Sequence, residues 1–277
     1  MPHIPDIDRT DELRAVVREA IADGAPLAVA GGGTKAFYGN PVAGRPLEVS
    51  GHSGIVSYEP TELVVTARAG TPLAGLEARL AEGGQALGFE PPHFGGAATV
   101  GGMVAAGLSG PPRPWRGAVR DAVLGAKVLA GTGEVLSFGG EVMKNVAGYD
   151  VARVMTGSLG TLGVLLEVSL KVVPRPVAEA TRVLAMDEAR ALAALAEWGR
   201  HPLPLAGTCH HAGRLHVRLA GNAGAVAEAG ERLGGETGPE DGTLWADLRE
   251  HRLPFFAGEA PTWRVSVPPA APPLDLP

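Results

Sequence analysis

The segment 27–40, LAVAGGGTKAFYGN, contains the residue types that point most directly to ligand chemistry. A short apolar run ends in Gly31, Gly32 and Gly33, and Thr34 and Lys35 follow at once. Consecutive glycine amides can approach an anion closely because no Cβ atom intervenes, and a lysine adds a positive charge. The segment therefore predicts an anion site.

Three known loops fit such a segment to different degrees. The nucleotide P-loop requires Ser or Thr directly after its Lys, but Lys35 is followed by Ala36. The dinucleotide fingerprint G-x-G-x-x-A is met at Gly31, Gly33 and Ala36, yet it requires a helix there. Gly39 and the Pro and Gly residues after it exclude a helix of useful length. A glycine loop between two strands that holds a diphosphate remains, beside a plain turn without a ligand.

Two later segments again place bare backbone beside apolar strand ends. They are PPHFGGAATVGGMVAAGLSG (91–110) and GSLGTLGV (157–164). One glycine loop can be accidental. Three such segments favour a long, folded cofactor that needs both a diphosphate cradle and flat apolar contact.

The spacing of apolar residues and the positions of Gly, Pro and capping residues predict the helices and strands that hold these segments. Apolar residues at helical spacing predict helices over 8–23, with Thr10 as N-cap, and over 72–84. Apolar runs on both sides of GTGE predict a hairpin over 122–140. Composition shifts at Pro174-Arg175-Pro176, and a β-α-β-β-α order follows, which is typical of a small α+β domain.

Bulk composition narrows the function classes. The 277 residues carry a net charge of −6, which gives no basic footprint for nucleic acid. A single cysteine, Cys209, excludes an intrachain disulfide and is typical of a reducing compartment. No apolar run reaches the roughly 18 residues of a membrane span, and the N-terminus has no signal-peptide core. We expect a cytoplasmic protein without direct membrane insertion.

Cys209, His210, His211 and His216 form a second group of chemically capable side chains. In a strand, Cys209 and His211 share one face while His210 points away. At most three ligands are therefore aligned, and the usual zinc spacing is missing. We expect no metal site.

The chain resembles the FAD-binding flavoproteins of the vanillyl-alcohol-oxidase (PCMH) type and, among them, the FAD-binding E subunits of bacterial glycolate oxidase. The stretches that carry the resemblance are APLAVAGGGTKAFYG (25–39), YEPTELVVTARAGTPL (58–73), FEPPHFGGAATVGGMVAAGLSGPPRPWRGAVRDAVLG (89–125), FGGEVMKNVAGYDVARVMTGSLGTLGV (138–164) and LPFFAGEAPTWRVSVPP (253–269). They follow one another in order between residues 25 and 269.

The resemblance implies an α+β fold. A two-lobed PCMH-type FAD-binding domain would span residues 1–176, and a partial α+β, ferredoxin-like cap domain would span 177–265. A proline-rich tail would follow at 266–277.

The resemblance also implies which residues bind the cofactor. The residues that match the three FAD loops of the family are Gly31, Gly32, Gly33, Thr34 and Lys35 in the first, Thr99, Val100, Gly101, Gly102 and Gly107 in the second, and Gly157, Gly160, Gly163 and Val164 in the third. Some relatives attach FAD through a His in the first loop or a Cys in the second. Neither is present here, so noncovalent FAD is expected.

The reaction and partners implied are those of a glycolate oxidase complex. Glycolate, a 2-hydroxy acid, would be oxidised to glyoxylate. The partners would be a second FAD-binding subunit, which carries the main glycolate-oxidising flavin, and an iron–sulfur subunit, through which the chain would reach the inner membrane. A base must take the hydroxyl proton, and His93 is the candidate near the loops. The alternative is a noncatalytic scaffold that stabilises the catalytic flavin subunit.

Overall fold

The computed structural model describes residues 4–140, 149–239, 242–258, 260–268 and 271–274. Most of the KNVAGYD stretch and parts of the C-terminal tail lie outside these ranges. The chain separates into two compact units. Unit 1 comprises Met1–Ser109 and Gly117–Arg175, and unit 2 comprises Gly110–Arg116 and Pro176–Pro277.

Helices and strands alternate irregularly along the chain. The α-helices are α1 (Thr10–Asp23), α2 (Leu73–Glu82), α3 (Val100–Ala106), α4 (Arg113–Arg116), α5 (Val119–Ala122), α6 (Val151–Val154), α7 (Glu188–Trp198), α8 (Ala223–Leu233) and α9 (Thr243–Arg249). The strands are β1 (Leu27–Ala30), β2 (Arg45–Glu48), β3 (Ile55–Glu59), β4 (Val64–Arg68), β5 (Gln85–Leu87), β6 (Val123–Leu129), β7 (Val135–Gly139), β8 (Val164–Pro174), β9 (Ala178–Ala185), β10 (Leu205–His211), β11 (Arg214–Gly221) and β12 (Glu236–Thr237).

Helix α1 forms where the apolar stripe predicted it. Leu13, Val17 and Ala20 are its buried face, and Gly24 ends it in the left-handed conformation that glycine adopts readily. The predicted N-cap is wrong by one residue. Arg9 is the N-cap, and the amide of Thr10, the first helical residue, donates to the Asp8 carboxylate at 2.9 Å.

The described strands of unit 1 form two sheets. Strands β1 and β2 pair in parallel, and the larger sheet has the order β3-β4-β8-β6-β7, with β5 added against β8. The eleven-residue β8 pairs antiparallel with β4, β5 and β6. Its alternate residues Leu166, Val168, Leu170 and Val172 are all fully buried, so the sheet is tied to the core of unit 1 along most of this strand.

The glycine-dense segment after Thr99 folds as a helix, where the sequence predicted a loop. The Thr99 side chain caps α3 by accepting from the Gly102 amide at 3.2 Å, and Gly107 ends the helix with a positive φ of 68°. A Cβ on Gly101 would lie 2.6 Å from the Ala69 Cβ, so only glycine allows the helix to pack this closely on the end of β4. Close packing therefore overrides the weak helix propensity of glycine here.

Unit 2 has the β-α-β-β-α-β order of a ferredoxin-like fold, with an antiparallel sheet ordered β10-β11-β9-β12. Strand β11 places Leu215, Val217 and Leu219 in a core that α7 and α8 cover. The short α4, which comes from the middle of the unit 1 sequence, also belongs to this unit, and its Trp115 packs against the same core.

Among the described residues, no helix combines the length and apolar character needed to cross a bilayer. The mixture of helices with mainly antiparallel sheets makes the chain α+β, as the sequence predicted.

Candidate cofactor site

A cavity of about 390 Å³ lies in unit 1, within the usual size range of small-molecule sites. Its walls come from residues 31–40 after β1, here called the glycine loop, from α3, and from residues 157–163 before β8, here called the late turn. Three segments that are far apart in sequence therefore meet at one surface.

Most of the predicted cofactor residues line this cavity. They are Gly31, Gly32, Gly33, Thr34, Lys35, Thr99, Gly101, Gly102, Gly160 and Gly163. As predicted, the glycine loop consists of turns and bends, and no helix follows β1. An anion there would be held by loop amides rather than by a helix N-terminus.

Four predicted residues are not among those that line the cavity. The Val100 and Val164 side chains are buried in the core of unit 1, and Gly107 packs against Gly157. Successive strand residues face opposite sides, so Leu165, the next residue after Val164, lines the cavity instead. At the start of β8, Leu165 is therefore the residue that can make an apolar contact with a ligand in the cavity.

The glycines of the first loop are required by protein packing as well as by any ligand. A Cβ on Gly32 would lie 1.5 Å from the Ala97 carbonyl oxygen, and one on Gly31 would lie 2.5 Å from the Thr99 hydroxyl. Gly33 has a φ of 69°, and a Cβ there would meet nothing within 4 Å. The loop thus lies directly on residues 97–99, and Gly33 faces open space.

Backbone amides of the glycine loop are available to a ligand. Within the described chain, the amides of Gly32, Gly33 and Thr34 form no backbone hydrogen bond. The first amides of α3 differ in this respect. Val100 donates to the Thr71 carbonyl at 2.9 Å and Gly101 to the Ala69 carbonyl at 2.7 Å. The glycine loop is therefore the better anion cradle, and α3 is a wall.

Lys35 gives the cavity its positive charge. Its Nζ atom lies 3.5 Å from both the Thr34 hydroxyl and the His93 carbonyl, and 5.7 Å from the centre of the Phe94 ring. No Asp or Glu is among the described residues that line the cavity. The local charge therefore favours an anionic ligand.

The late turn is fixed to the C-terminal half of α3. The Gly157 amide donates to the Val104 carbonyl and the Leu159 amide to the Ala105 carbonyl, both at 3.0 Å. Leu159 has a positive φ of 51°, which is uncommon for a branched residue. Its half-exposed side chain lines the cavity together with Val29, Tyr38 and Val42, and these four give that wall an apolar surface.

His93 lies outside the lining. Its Nε2 atom is 3.0 Å from the Glu77 carboxylate of α2, and its backbone carbonyl faces Lys35. The structure thus does not bring the imidazole to the cavity. A catalytic role for His93 stays a prediction.

The Cys209 cluster lies in the β10–β11 hairpin of unit 2. Cys209 pairs with His216 across the two strands, and the His210 ring contacts the Met186 carbonyl at 2.9 Å. Burial raises the pKa of the Cys209 thiol and lowers the pKa of His216, which keeps both groups neutral near pH 7. In the part of the chain that the structure describes, no group of three or more His, Cys, Asp or Glu residues could hold a metal ion.

Sequence reasoning missed several lining residues, among them Val49, Ala69, Ala105 and Ala106. Helical spacing would have identified Ala105 and Ala106, because residues four apart share a helix face and the sequence had already indicated Gly101 and Gly102. Val49 and Ala69 carry no comparable signal, because only the tertiary packing of β2 and β4 brings them to the cavity.

Comparisons with known proteins show which family the chain belongs to. A family model described as FAD binding domain matches residues 7–139. Glycolate oxidase subunit GlcE of Escherichia coli is 51% identical over 272 residues, which are 98% of this chain and 77% of that protein. D-lactate dehydrogenase of Anaerostipes hadrus is 34% identical over 60% of this chain, and glycolate oxidase subunit GlcD of Bacillus subtilis is 30% identical over 65%.

The matches to the last two relatives cover only 35% and 38% of their lengths. Among solved structures, alkyldihydroxyacetonephosphate synthase superposes with a TM-score of 0.67 at 18% identity, over 90% of this chain and 57% of that one. That likeness concerns the fold alone. The identity to GlcE extends over almost the whole chain, so the chain belongs to the GlcE family of glycolate oxidase subunits, which are FAD-binding oxidoreductases of the PCMH type.

Proposed function

We propose that this chain is the FAD-binding subunit of a glycolate oxidase complex that oxidises glycolate to glyoxylate. The observation that carries the proposal is the 51% identity to GlcE over 98% of the chain. The cavity supports it, because it combines bare amides, one cation and apolar walls. In the overall reaction glycolate loses two electrons and two protons.

The residues present fit FAD. The amides of Gly32, Gly33 and Thr34 can donate to a diphosphate, and Lys35 can offset part of its charge. The small residues of α3 and the side chain of Leu165 give a flat apolar surface suited to an aromatic ring system. No Cys or His is among the described residues that line the cavity, which supports noncovalent binding.

When bound, FAD supplies the hydride acceptor for oxidation of an alcohol carbon. The contribution of this chain is to bind and orient the cofactor and to exclude water from the apolar side of the cavity. We further propose that electrons leave through an iron–sulfur partner subunit, that residues 177–265 form a substrate-side or partner-side cap, and that the complex works in the cytoplasm or at the inner membrane through its partners.

One observation favours a second candidate function, a noncatalytic subunit that stabilises a catalytic flavin subunit. Among the described residues that line the cavity, none is a His, Asp or Glu that could take the hydroxyl proton of the substrate. A base from a partner subunit would reconcile this observation with catalysis at this site.

Glycolate-dependent dye reduction distinguishes the two functions. The chain would be assayed alone and then with its partner subunits, using wild type and a variant of this chain that binds no FAD. If this chain turns over substrate, the variant abolishes activity of the assembled complex. Full activity of an assembled complex that contains the variant would instead identify the chain as a scaffold.

Lys35→Ala should weaken FAD binding. Loss of one charge-assisted contact to phosphate costs about 1.5–3 kcal/mol, which corresponds to roughly 10- to 100-fold in Kd. Fluorescence titration with FAD at two salt concentrations measures the change, and the variant should be less sensitive to salt than the wild type.

Two matched variants accompany that titration. Lys35→Arg keeps the charge and should recover most of the affinity. Lys171→Ala removes the same charge from β8 outside the cavity lining and should leave the affinity unchanged. Equal Kd values for Lys35→Ala and wild type would remove Lys35 from the cofactor site.

A further inference from the structure

A buried imidazole lies in the segment that follows β2. His52 is only 1% exposed, and its Nδ1 atom accepts a hydrogen bond from the Arg9 amide at 3.0 Å. Arg9 is the N-cap of α1, so this bond fixes the start of that helix. An Nδ1 atom that accepts from an amide carries no proton, and the bond therefore exists only with the ring neutral.

Two main-chain hydrogen bonds connect His52 to the cavity wall, one of them directly and the other through the residue next to a lining residue. Its amide donates to the Val49 carbonyl at 2.9 Å, and its carbonyl accepts from the Gly70 amide at 2.8 Å. Val49 lines the cavity, and so does Ala69, which precedes Gly70. Val49 also donates to the Ala30 carbonyl at 2.8 Å, directly before the glycine loop. A shift of His52 would thus move the wall and the base of the loop.

The charged surroundings of His52 do not offset its burial. The Asp8 carboxylate lies 3.7 Å from Nδ1 and, like the more distant Glu167, favours the protonated ring. The Arg68 guanidinium disfavours the protonated ring and forms ion pairs with Asp6 and Asp8. The Nε2 atom is buried beside the Leu166 main chain and makes no hydrogen bond of standard geometry with the described residues. Burial is the largest influence and lowers the pKa of His52 below its usual value near 6.5.

Because the pKa of His52 is lowered in the folded chain, acid should destabilise the folded state. Above pH 6.5 the ring is neutral in the folded and unfolded chain alike, and the Arg9 bond is intact. As pH falls below about 6.5, the unfolded chain binds a proton that the folded chain resists, so the folded state loses stability until the lower folded pKa is passed.

We propose that His52 is a positioning residue for the cofactor cavity, whose neutral ring ties the start of α1 to the wall formed by Val49 and Ala69 and whose protonation releases FAD. This inference rests on the proposed binding of FAD in that cavity. It makes cofactor retention sensitive to acid through a residue that does not touch the cofactor.

Two substitutions distinguish the loss of the hydrogen-bond acceptor at position 52 from the gain of a positive charge on the imidazole ring. In His52→Asn, Oδ1 stands as many bonds from the backbone as Nδ1 does and can accept from Arg9, but it does not titrate. In His52→Leu the bulk stays and the acceptor is lost. The measurement is the Kd for FAD, by fluorescence titration, at pH 8 and pH 5.5.

We expect wild-type affinity to be lower at pH 5.5 than at pH 8, by less than about tenfold, because burial holds the pKa of His52 below 6.5 and only part of the folded chain is protonated at pH 5.5. His52→Asn should match wild type at pH 8 and lose most of this dependence. His52→Leu should bind weakly at both pH values. A flat wild-type profile, or an unchanged pH dependence in His52→Asn, would overturn the proposal.

A second readout separates this inference from the proposed function. Hydrogen–deuterium exchange of the peptide that contains residues 49–53, corrected for the intrinsic pH dependence, is followed in the chain without FAD. Protection should fall at pH 5.5 in wild type but not in His52→Asn. Equal protection of wild type and His52→Asn at pH 5.5 would overturn the proposed role of His52. A chain that never binds FAD would instead overturn the proposed function.

Discussion

Gly32→Val should abolish flavin retention and destabilise unit 1. Already a Cβ at position 32 would lie 1.5 Å from the Ala97 carbonyl oxygen and 2.4 Å from its carbon. These are backbone atoms, so no rotamer change relieves the overlap, and the glycine loop must move off residues 97–99. Overpacking of this kind costs about 3 kcal/mol or more, and the displaced loop would no longer present its amides to the cavity.

The measurement for Gly32→Val is the flavin content after purification with excess FAD, together with the thermal midpoint. Gly96→Ala is the matched control, since Gly96 lies in the neighbouring loop, has no positive φ, and its Cβ would meet nothing within 4 Å. The control should change stability by no more than about 0.5 kcal/mol. Full FAD content at unchanged affinity in Gly32→Val would show that the glycine loop is not part of the site.

Gly102→Leu should separate cofactor binding from folding. Gly102 lies in α3 with an ordinary helical conformation and lines the cavity, and a Cβ there would meet only the Thr99 hydroxyl, at 3.0 Å. Replacing glycine within a helix gains up to about 1 kcal/mol, which offsets a small shift of that hydroxyl. The added side chain takes up cavity volume. A steric cost of about 3 kcal/mol corresponds to roughly 100-fold in Kd.

FAD titration and thermal unfolding without FAD test this variant together. Gly224→Leu is its control, because Gly224 lies in α8 of unit 2 and its Cβ would meet only the Asn222 side chain, at 3.7 Å. The control should retain wild-type affinity. If Gly102→Leu binds FAD as tightly as wild type while remaining folded, α3 does not form a wall of the cofactor site.

The sequence was most informative where backbone chemistry decides the structure. The glycine run after an apolar strand, with no possible helix behind it, located the loop that lines the cavity. The cause is physical, since a missing Cβ lets backbone amides approach an anion and also lets backbone pack on backbone. Gly32 illustrates both reasons, because its missing Cβ also serves contact with Ala97.

The sequence was least informative where one residue of register or a tertiary contact decides the outcome. Val164 and Leu165 are both apolar, and nothing local to them says which faces the cavity, because that depends on how β8 pairs with β6. The helix α3 exists because Gly101 packs against Ala69, a contact between distant segments. His52 gave no signal at all, since its role depends on burial beneath Arg9.

The grouping of residues 110–116 with unit 2 shows the same limit. In sequence, the stretch GPPRPWRG (110–117) lies inside the FAD-binding domain expected over residues 1–176. Instead Trp115 packs against the core of unit 2, and the chain leaves unit 1 and returns within a few residues. Only three-dimensional contacts reveal such an excursion, because both ends of the segment belong to unit 1 in sequence.

The visible absorption spectrum of the purified chain tests the central claim most directly. The chain would be incubated with FAD, freed of unbound cofactor by gel filtration, and then denatured to release the flavin for quantification. Binding in the cavity predicts flavin bands at close to stoichiometric content, with all of the flavin released on denaturation. A folded, colourless protein would contradict the assignment of the cavity to FAD.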